Sequence, residues 1–322
     1  MHRERSGVIA LIAALATLPL LAGCAEPVGD LAHPAAPTLP PSATATSSPT
    51  RTALPSTADS QPTATRRTPP PSATPSPSPS LPPPAWNTAA PGIGQRYVPV
   101  ELPGSSAPAY LYALRFDPDA VTFRVHYDPA QPRTIEEWEA ETGALAVFNG
   151  GFFSGNNRPV GRIIIDGELF GIPLYPTLYG DDSIGIPGIF TVIDGAVELY
   201  ALGRSTYNPR GLRFDQAVES YPMLLLPGRQ PAYPEDTGRA ARRTVIALDE
   251  QGNVIVLLID WSYFTLYGLS RWLAASDLSL YTAMNLDGGR SSGLGVNMPG
   301  EQIVIPAYVP LPIVIAVYPR GE

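Results

Sequence analysis

The chain has 322 residues, a net charge of −8, a single cysteine, three histidines and no lysine, so all 21 basic residues are arginines. This inventory excludes Schiff-base chemistry and a P-loop lysine, and the acidic balance argues against nucleic acid as a partner. With Cys24 the sole cysteine, the body of the chain has no thiol nucleophile, disulfide or cysteine-ligated metal.

In chain order, residues 1–23 read as a secretory signal. Arg3 and Arg5 precede an apolar run from Val8 to Leu21, shorter than the about 20 residues a membrane-spanning helix needs. The run closes in "LAGC", which resembles the bacterial lipoprotein signal. The expectation is a protein acylated at Cys24 and held outside the cytoplasm on the cell membrane. From about Ala25 to Gly92 the chain is mostly Pro, Ser, Thr and Ala. Such a composition cannot bury enough apolar surface to offset its ordering entropy, which predicts a disordered tether over residues 24–94. Its reach is roughly 45 Å as a random coil. Residues 95–322 are then the folded domain.

Most of that domain reads as short strands. "AYLYALRF" and "VTFRVHY" carry apolar residues at strand length. Asp166-Gly167 and Asp194-Gly195 are two-residue hairpin signals. The long segment Arg243 to Asp260, turning at Glu250 to Asn253, has two nearly all-apolar arms and belongs at the centre of a sheet. Two helices interrupt the strands. Thr134 and Glu137 form a capping box, with Gly143 as the stop. In "GLSRWLAASDL", Leu269, Trp272, Leu273 and Ser276 share one helical face. The fold class is α+β: a mixed, strand-rich single domain with a few short helices packed on the sheet.

Each helix leads into a short strand that ends in a Gly-Gly turn. "FNGGFFSG" (Phe148 to Gly155) and "LDGGRSSG" (Leu286 to Gly293) share the pattern Asn/Asp-Gly-Gly-x-x-Ser-Gly. Two turns built from the residues that turns need would explain this. So would an internal duplication whose two loops meet at one site. The second stretch also contains a G-x-S-x-G match around Ser291. A serine hydrolase needs a general base, and in that order a histidine after the serine. His2, His33 and His126 all precede Ser291, so the match is fortuitous. Catalytic zinc lacks ligands. A structural Ca²⁺ could use Asp181, Asp182, Asp287 and backbone carbonyls. Carboxylates, amides, arginines and tyrosines remain, a set suited to glycosyl chemistry and to phosphate recognition.

The ordered set "VFNGGFF", "SYPMLLLPG", "RRTVIALDEQGNVIVLLID", "LYGLSRWLAASDLSLYTAMNLDGGRSSG" and "VPLPIVIAVYP" resembles the phosphodiester glycosidase family over about Tyr110 to Pro319. The resemblance implies hydrolysis of the bond between a sugar's anomeric carbon and a phosphodiester oxygen, with a sugar phosphodiester or envelope glycan as partner. Carried over position by position, the implied site is Asn149, Gly150 and Gly151, then Arg243, then Asn285, Asp287, Gly288 and Gly289, with Arg290 and Ser291 beside them. Asp287 is the expected carboxylate and Arg243 the expected phosphate clamp. The four glycines are expected to let backbone N–H groups approach an anion. Where the family usually reads Gly-Gly-Gly-Ser, this chain has Gly288-Gly289-Arg290-Ser291. Arg290 therefore keeps a second function open, a non-catalytic carbohydrate- or envelope-binding lipoprotein on the same fold.

Overall fold

Strand-length apolar segments separated by tight turns assemble into three antiparallel sheets in the computed structural model, which describes residues 85–102, 106, 108–174, 185–202 and 213–321. The largest has eight strands in the order β1 (Asn87–Ala90), β2 (Ile93–Val100), β3 (Ala109–Phe116), β14 (Val254–Ile259), β13 (Arg243–Asp249), β15 (Leu280–Asn285), β11 (Met223–Leu226) and β12 (Gln230–Pro231). A five-stranded sheet follows the order β7 (Glu168–Phe170), β6 (Ile163–Ile165), β10 (Gln216–Ser220), β8 (Gly188–Ile193) and β9 (Ala196–Ala201). The other has the order β17 (Glu301–Ile305), β16 (Leu294–Met298), β5 (Ala146–Asn149), β18 (Ile313–Pro319) and β4 (Val121–Tyr127). The fold is α+β and strand-rich, as the sequence indicates.

Local chemistry accounts for the connections. Asp166 and Gly167 have φ of 48° and 83°, and Asp194 and Gly195 have 49° and 79°. Positive φ at both central residues matches the twist of the flanking strands, and these turns close the β6–β7 and β8–β9 hairpins. The β13–β14 hairpin lies in the interior of the large sheet, where both faces are covered. Its uniformly apolar arms are the consequence.

All three sheets contribute to one central core. Leu114, Phe116, Ile246, Val256 and Met284 come from the large sheet, Phe190 and Val218 from the second, and Phe123, Phe148, Val296 and Ile315 from the third. The helices cover outer faces. The helix α1 (Ile135–Thr142) has the expected capping box at Thr134 and a left-handed Gly143 at its end, and packs Ile135 and Trp138 against Val147 and Val314. The helix α2 (Leu266–Ala275) is capped by Thr265 and packs Leu269 and Leu273 on the back of the large sheet, with Trp272 partly buried beside them. Ser276 does not extend this face. It is the C-cap, and the polar residue inside is Ser270, whose hydroxyl donates to Leu224 O at 2.6 Å. No helix among the described residues is long and apolar enough to cross a membrane.

The fold begins earlier than residue 95. Strand β1 pairs with β2, and the Trp86 ring contacts the guanidiniums of Arg96 and Arg115, at 5.4 and 5.1 Å. A single large aromatic in a Pro- and Ala-rich stretch supplies the contact that composition averaged out. A chain beginning at Ala85 should keep the thermal midpoint of the full-length protein. One beginning at Arg96 loses β1 and Trp86 and should melt lower, by roughly 2–4 °C for each kcal/mol lost. Thermal unfolding followed by circular dichroism checks this, and equal midpoints for all three chains would show that β1 contributes no stability.

Candidate active site

The two Gly-Gly loops meet. Strand β5 ends at Asn149 in one sheet and β15 ends at Asn285 in another, and the Asn149 side chain bridges them. Its Oδ1 accepts from the Thr244 hydroxyl at 2.7 Å and from Gly293 N–H at 3.1 Å, while its Nδ2 donates to Asp287 O at 2.7 Å. The Asp287 N–H in turn donates to Gly150 O at 3.1 Å. Asn149 is 1% exposed, and its amide is engaged within the protein. It therefore positions the site, where the family pattern suggested a substrate contact. Sequence reading missed Thr244, although a buried polar residue inside the apolar run "RTVIALD" is a usable signal.

Asp287 lies beside this arrangement, half-buried. Its Oδ1 accepts from Gly288 N–H at 2.8 Å, the bond by which an aspartate orders a following turn. Burial pushes its carboxyl up to about 6, against smaller opposing effects of hydrogen bonds from Ser291 and Gly288. Desolvation disfavours the anion more than those donors favour it. Ser291, in a short 3₁₀ turn from Gly289 to Ser291, thus serves the carboxylate. His126 bonds Tyr318 through Nε2 at 2.9 Å on β4 and is the only histidine among the described residues. No serine triad is assembled among the described residues.

Arg243 opens β13 beside the second loop. A Cβ placed on Gly288 would lie 3.5 Å from its Nη1 and 3.1 Å from Arg242 O, so a side chain there would be tight against the Arg242 carbonyl. Arg243 donates through Nη2 to Arg239 O at 3.1 Å, and its Nε is buried without a partner. Burial lowers its pKa, with Tyr233 close enough to oppose the effect. Among the described residues it has no carboxylate within ion-pair distance. A partly desolvated guanidinium without a counter-ion is a ready partner for phosphate oxygens. Arg242 alternates to the other side, bonding Pro306 O at 3.0 Å. Arg290 is exposed and donates to Tyr308 O at 3.2 Å.

The glycines do different work from that expected. Gly150, Gly288 and Gly289 donate their N–H groups to Ile313 O, the Asp287 carboxylate and Arg242 O, so these are not an open anion cradle. A Cβ on Gly151 would lie 2.9 Å from Glu219 O, and close packing is the requirement there. Asn285 donates to Tyr221 O at 3.0 Å, while its Oδ1 is buried with no partner. Glu219 itself was not anticipated. It is buried and accepts from Arg162 Nε at 2.8 Å and from Leu174 N–H at 3.1 Å, tying residues 162–174 beside the first loop. Of the proposed calcium ligands, Asp181 and Asp182 lie outside the described residues, as does Cys24. Among the described residues no three His, Cys, Asp or Glu side chains are grouped to hold a metal.

The family model for phosphodiester glycosidases matches residues 142–317, more than half of the chain. The protein belongs to that family. Among solved structures it is similar to the catalytic domain of zebrafish N-acetylglucosamine-1-phosphodiester alpha-N-acetylglucosaminidase, described as auto-inhibited by its pro-peptide. The TM-score is 0.53 at 17% identity over 73% of this chain and 86% of that one. A hypothetical protein from Synechocystis gives a TM-score of 0.50 at 16% identity, over 75% of this chain and 64% of that one. A comparison with curated protein sequences finds no match. At these identities the structures establish a shared fold, and the family model carries the classification.

The position of the Asp287 carboxyl has a consequence for stability. Its folded value of about 6 exceeds the ordinary 3.8, so the neutral form is favoured by folding. Stability from this group is full below about pH 4 and is lost as pH rises through 6. Asp287→Asn keeps the shape without the charge. It should raise the melting temperature at pH 8 by more than at pH 4, and a gain independent of pH would contradict the raised value.

Proposed function

We propose that the protein hydrolyses a sugar 1-phosphodiester, with Asp287 assisting water at the anomeric carbon and Arg243 binding the phosphate. The observation that carries this reading is a desolvated carboxylate and a partly buried arginine, without an ion-pair partner among the described residues, on either side of one glycine beside two loops clamped by Asn149. Water attacks C1 and transfers a proton to the Asp287 carboxylate as the new C–O bond forms. The C1–O bond to phosphate breaks, and its electron pair leaves on the phosphomonoester. Phosphate is a good leaving group, so one carboxylate and one cationic clamp suffice where most glycosidases need two carboxylates. Arg290 lends no support to the non-catalytic alternative, because its guanidinium bonds the Tyr308 carbonyl and leaves the turn beside Asp287 intact.

The test is hydrolysis of a nucleotide sugar such as UDP-N-acetylglucosamine, followed as release of free sugar. Asp287→Asn should lower kcat by ~10² or more. Arg243→Gln should act through loss of phosphate contact, raising KM and lowering kcat/KM. In the wild type, kcat/KM should rise with pH through about 6 as Asp287 ionises. Ser291→Ala should keep most activity but move that limb upward, because it removes a hydrogen bond that lowers the carboxyl. Covalent labelling of Ser291 by a fluorophosphonate, or a Ser291→Ala loss exceeding that of Asp287→Asn, would overturn the assignment.

The proposed setting is extracytoplasmic, with the domain attached to the membrane through lipid on Cys24. The support is "LAGC" at the end of an apolar run. Cys24→Ser should move the protein from the membrane fraction to a soluble or unprocessed form, and unchanged fractionation would count against the anchor.

A further inference from the structure

Tyr308 has 59% of its surface exposed, yet its ring and backbone are both held by contacts. One face of its ring lies on the Arg242 guanidinium, 4.1 Å from ring centroid to Cζ. Arg242 is 5% exposed and is itself anchored on Pro306 O. Two of its nitrogens, Nε and Nη1, are buried without hydrogen-bond partners, so the electron-rich ring face is a principal contact of that charge. The backbone is fixed as well. Tyr308 N–H donates to Arg290 O at 2.6 Å, and Arg290 Nη2 returns a bond to Tyr308 O at 3.2 Å. Pro306 and Pro310 bracket the segment and restrict its φ angles.

We propose that Tyr308 is a stacking platform for the sugar ring of the substrate, and that Arg242 and Arg290 are the residues that position it. The inference rests on the glycosidase reading above and adds a specificity-determining residue to it. Arg290 lies three residues from Asp287, a span of at most about 11 Å of chain, so the platform stands within reach of a molecule held at the carboxylate. The C–H face of a pyranose is apolar and flat, and its hydroxyls project around the rim. It therefore fits on an aromatic ring whose hydroxyl can bond at the edge. An aromatic already fixed in place loses little conformational freedom when a ligand stacks on it. Arg290, the departure from the family's glycine, acquires a purpose in this arrangement: it ties the Tyr308 segment to the catalytic loop.

The experiment compares wild type, Tyr308→Phe, Tyr308→Leu and Arg290→Gly with UDP-N-acetylglucosamine. A second measurement is saturation-transfer NMR with methyl glycosides of common pyranoses, which does not depend on turnover. Phe should preserve binding. Leu covers Arg242 without offering a flat π face, and should raise KM by about tenfold, the scale of one lost contact of about 1.4 kcal/mol, with kcat nearly unchanged. Arg290→Gly should produce part of the same KM effect. Loss of the methyl glycoside signal in the Leu variant alone supports the platform even where no nucleotide sugar is turned over. Equal KM and equal glycoside signals in the wild type and Leu proteins overturn it, and leave the roles of Asp287 and Arg243 to their own variants.

Discussion

The Asn149 carboxamide is the contact on which the site depends. One planar group accepts from a strand of the large sheet and from the backbone of the Gly293 turn, and donates to the carbonyl of the candidate catalytic residue. Each of these joins parts of the chain far apart in sequence, and the bonds from Thr244 and Gly293 are fully buried. Removal of the carboxamide would take this partner from the Thr244 hydroxyl, the Gly293 N–H and the Asp287 carbonyl, and each polar group left unsatisfied in a low-dielectric interior costs about 1–3 kcal/mol. The polar network is thus what sets the relative position of two loops that an apolar core would leave free to slide.

The glycines around it follow from the same constraint. Backbone has to pass close to backbone at Gly151 and Gly288, where a Cβ would come within 2.9 Å of Glu219 O and 3.1 Å of Arg242 O. Gly289 is different. It has open space around it but a φ of +63°, which turns the chain into the short helical turn carrying Arg290 and Ser291. Close packing at two points and a left-handed turn at the third deliver the Asp287 carboxylate to a half-buried position.

What was legible in the sequence was local. The Asp-Gly hairpins, the Thr134 capping box and the buried β13–β14 arms are each specified by residues a few positions apart, and the folded chain has them. The family pattern also pointed to both loops. The clamp between them was not legible, because Asn149 reaches Thr244 and Asp287 across 95 and 138 residues, and no spacing rule records such a pairing. For the same reason Asn149 read as a ligand, and the glycine N–H groups as an open cradle. Trp86 was lost in a low-complexity stretch because its partners, Arg96 and Arg115, lie on strands that follow it.

The treatment of buried charge separates scaffold from site. Glu219 and Arg162 are both buried, and they pair, so neither charge is left uncompensated. Asp287 and Arg243 lie at the second loop, and burial pushes each towards its neutral form. No ion pair joins them among the described residues. The carboxyl is raised, and its hydrogen bonds come from Gly288 and Ser291. In the proposed reaction the carboxyl serves the anomeric carbon and the guanidinium the phosphate. An anionic substrate between them would supply the counter-charge that Arg243 lacks among the described residues, while the carboxylate remains free to accept a proton.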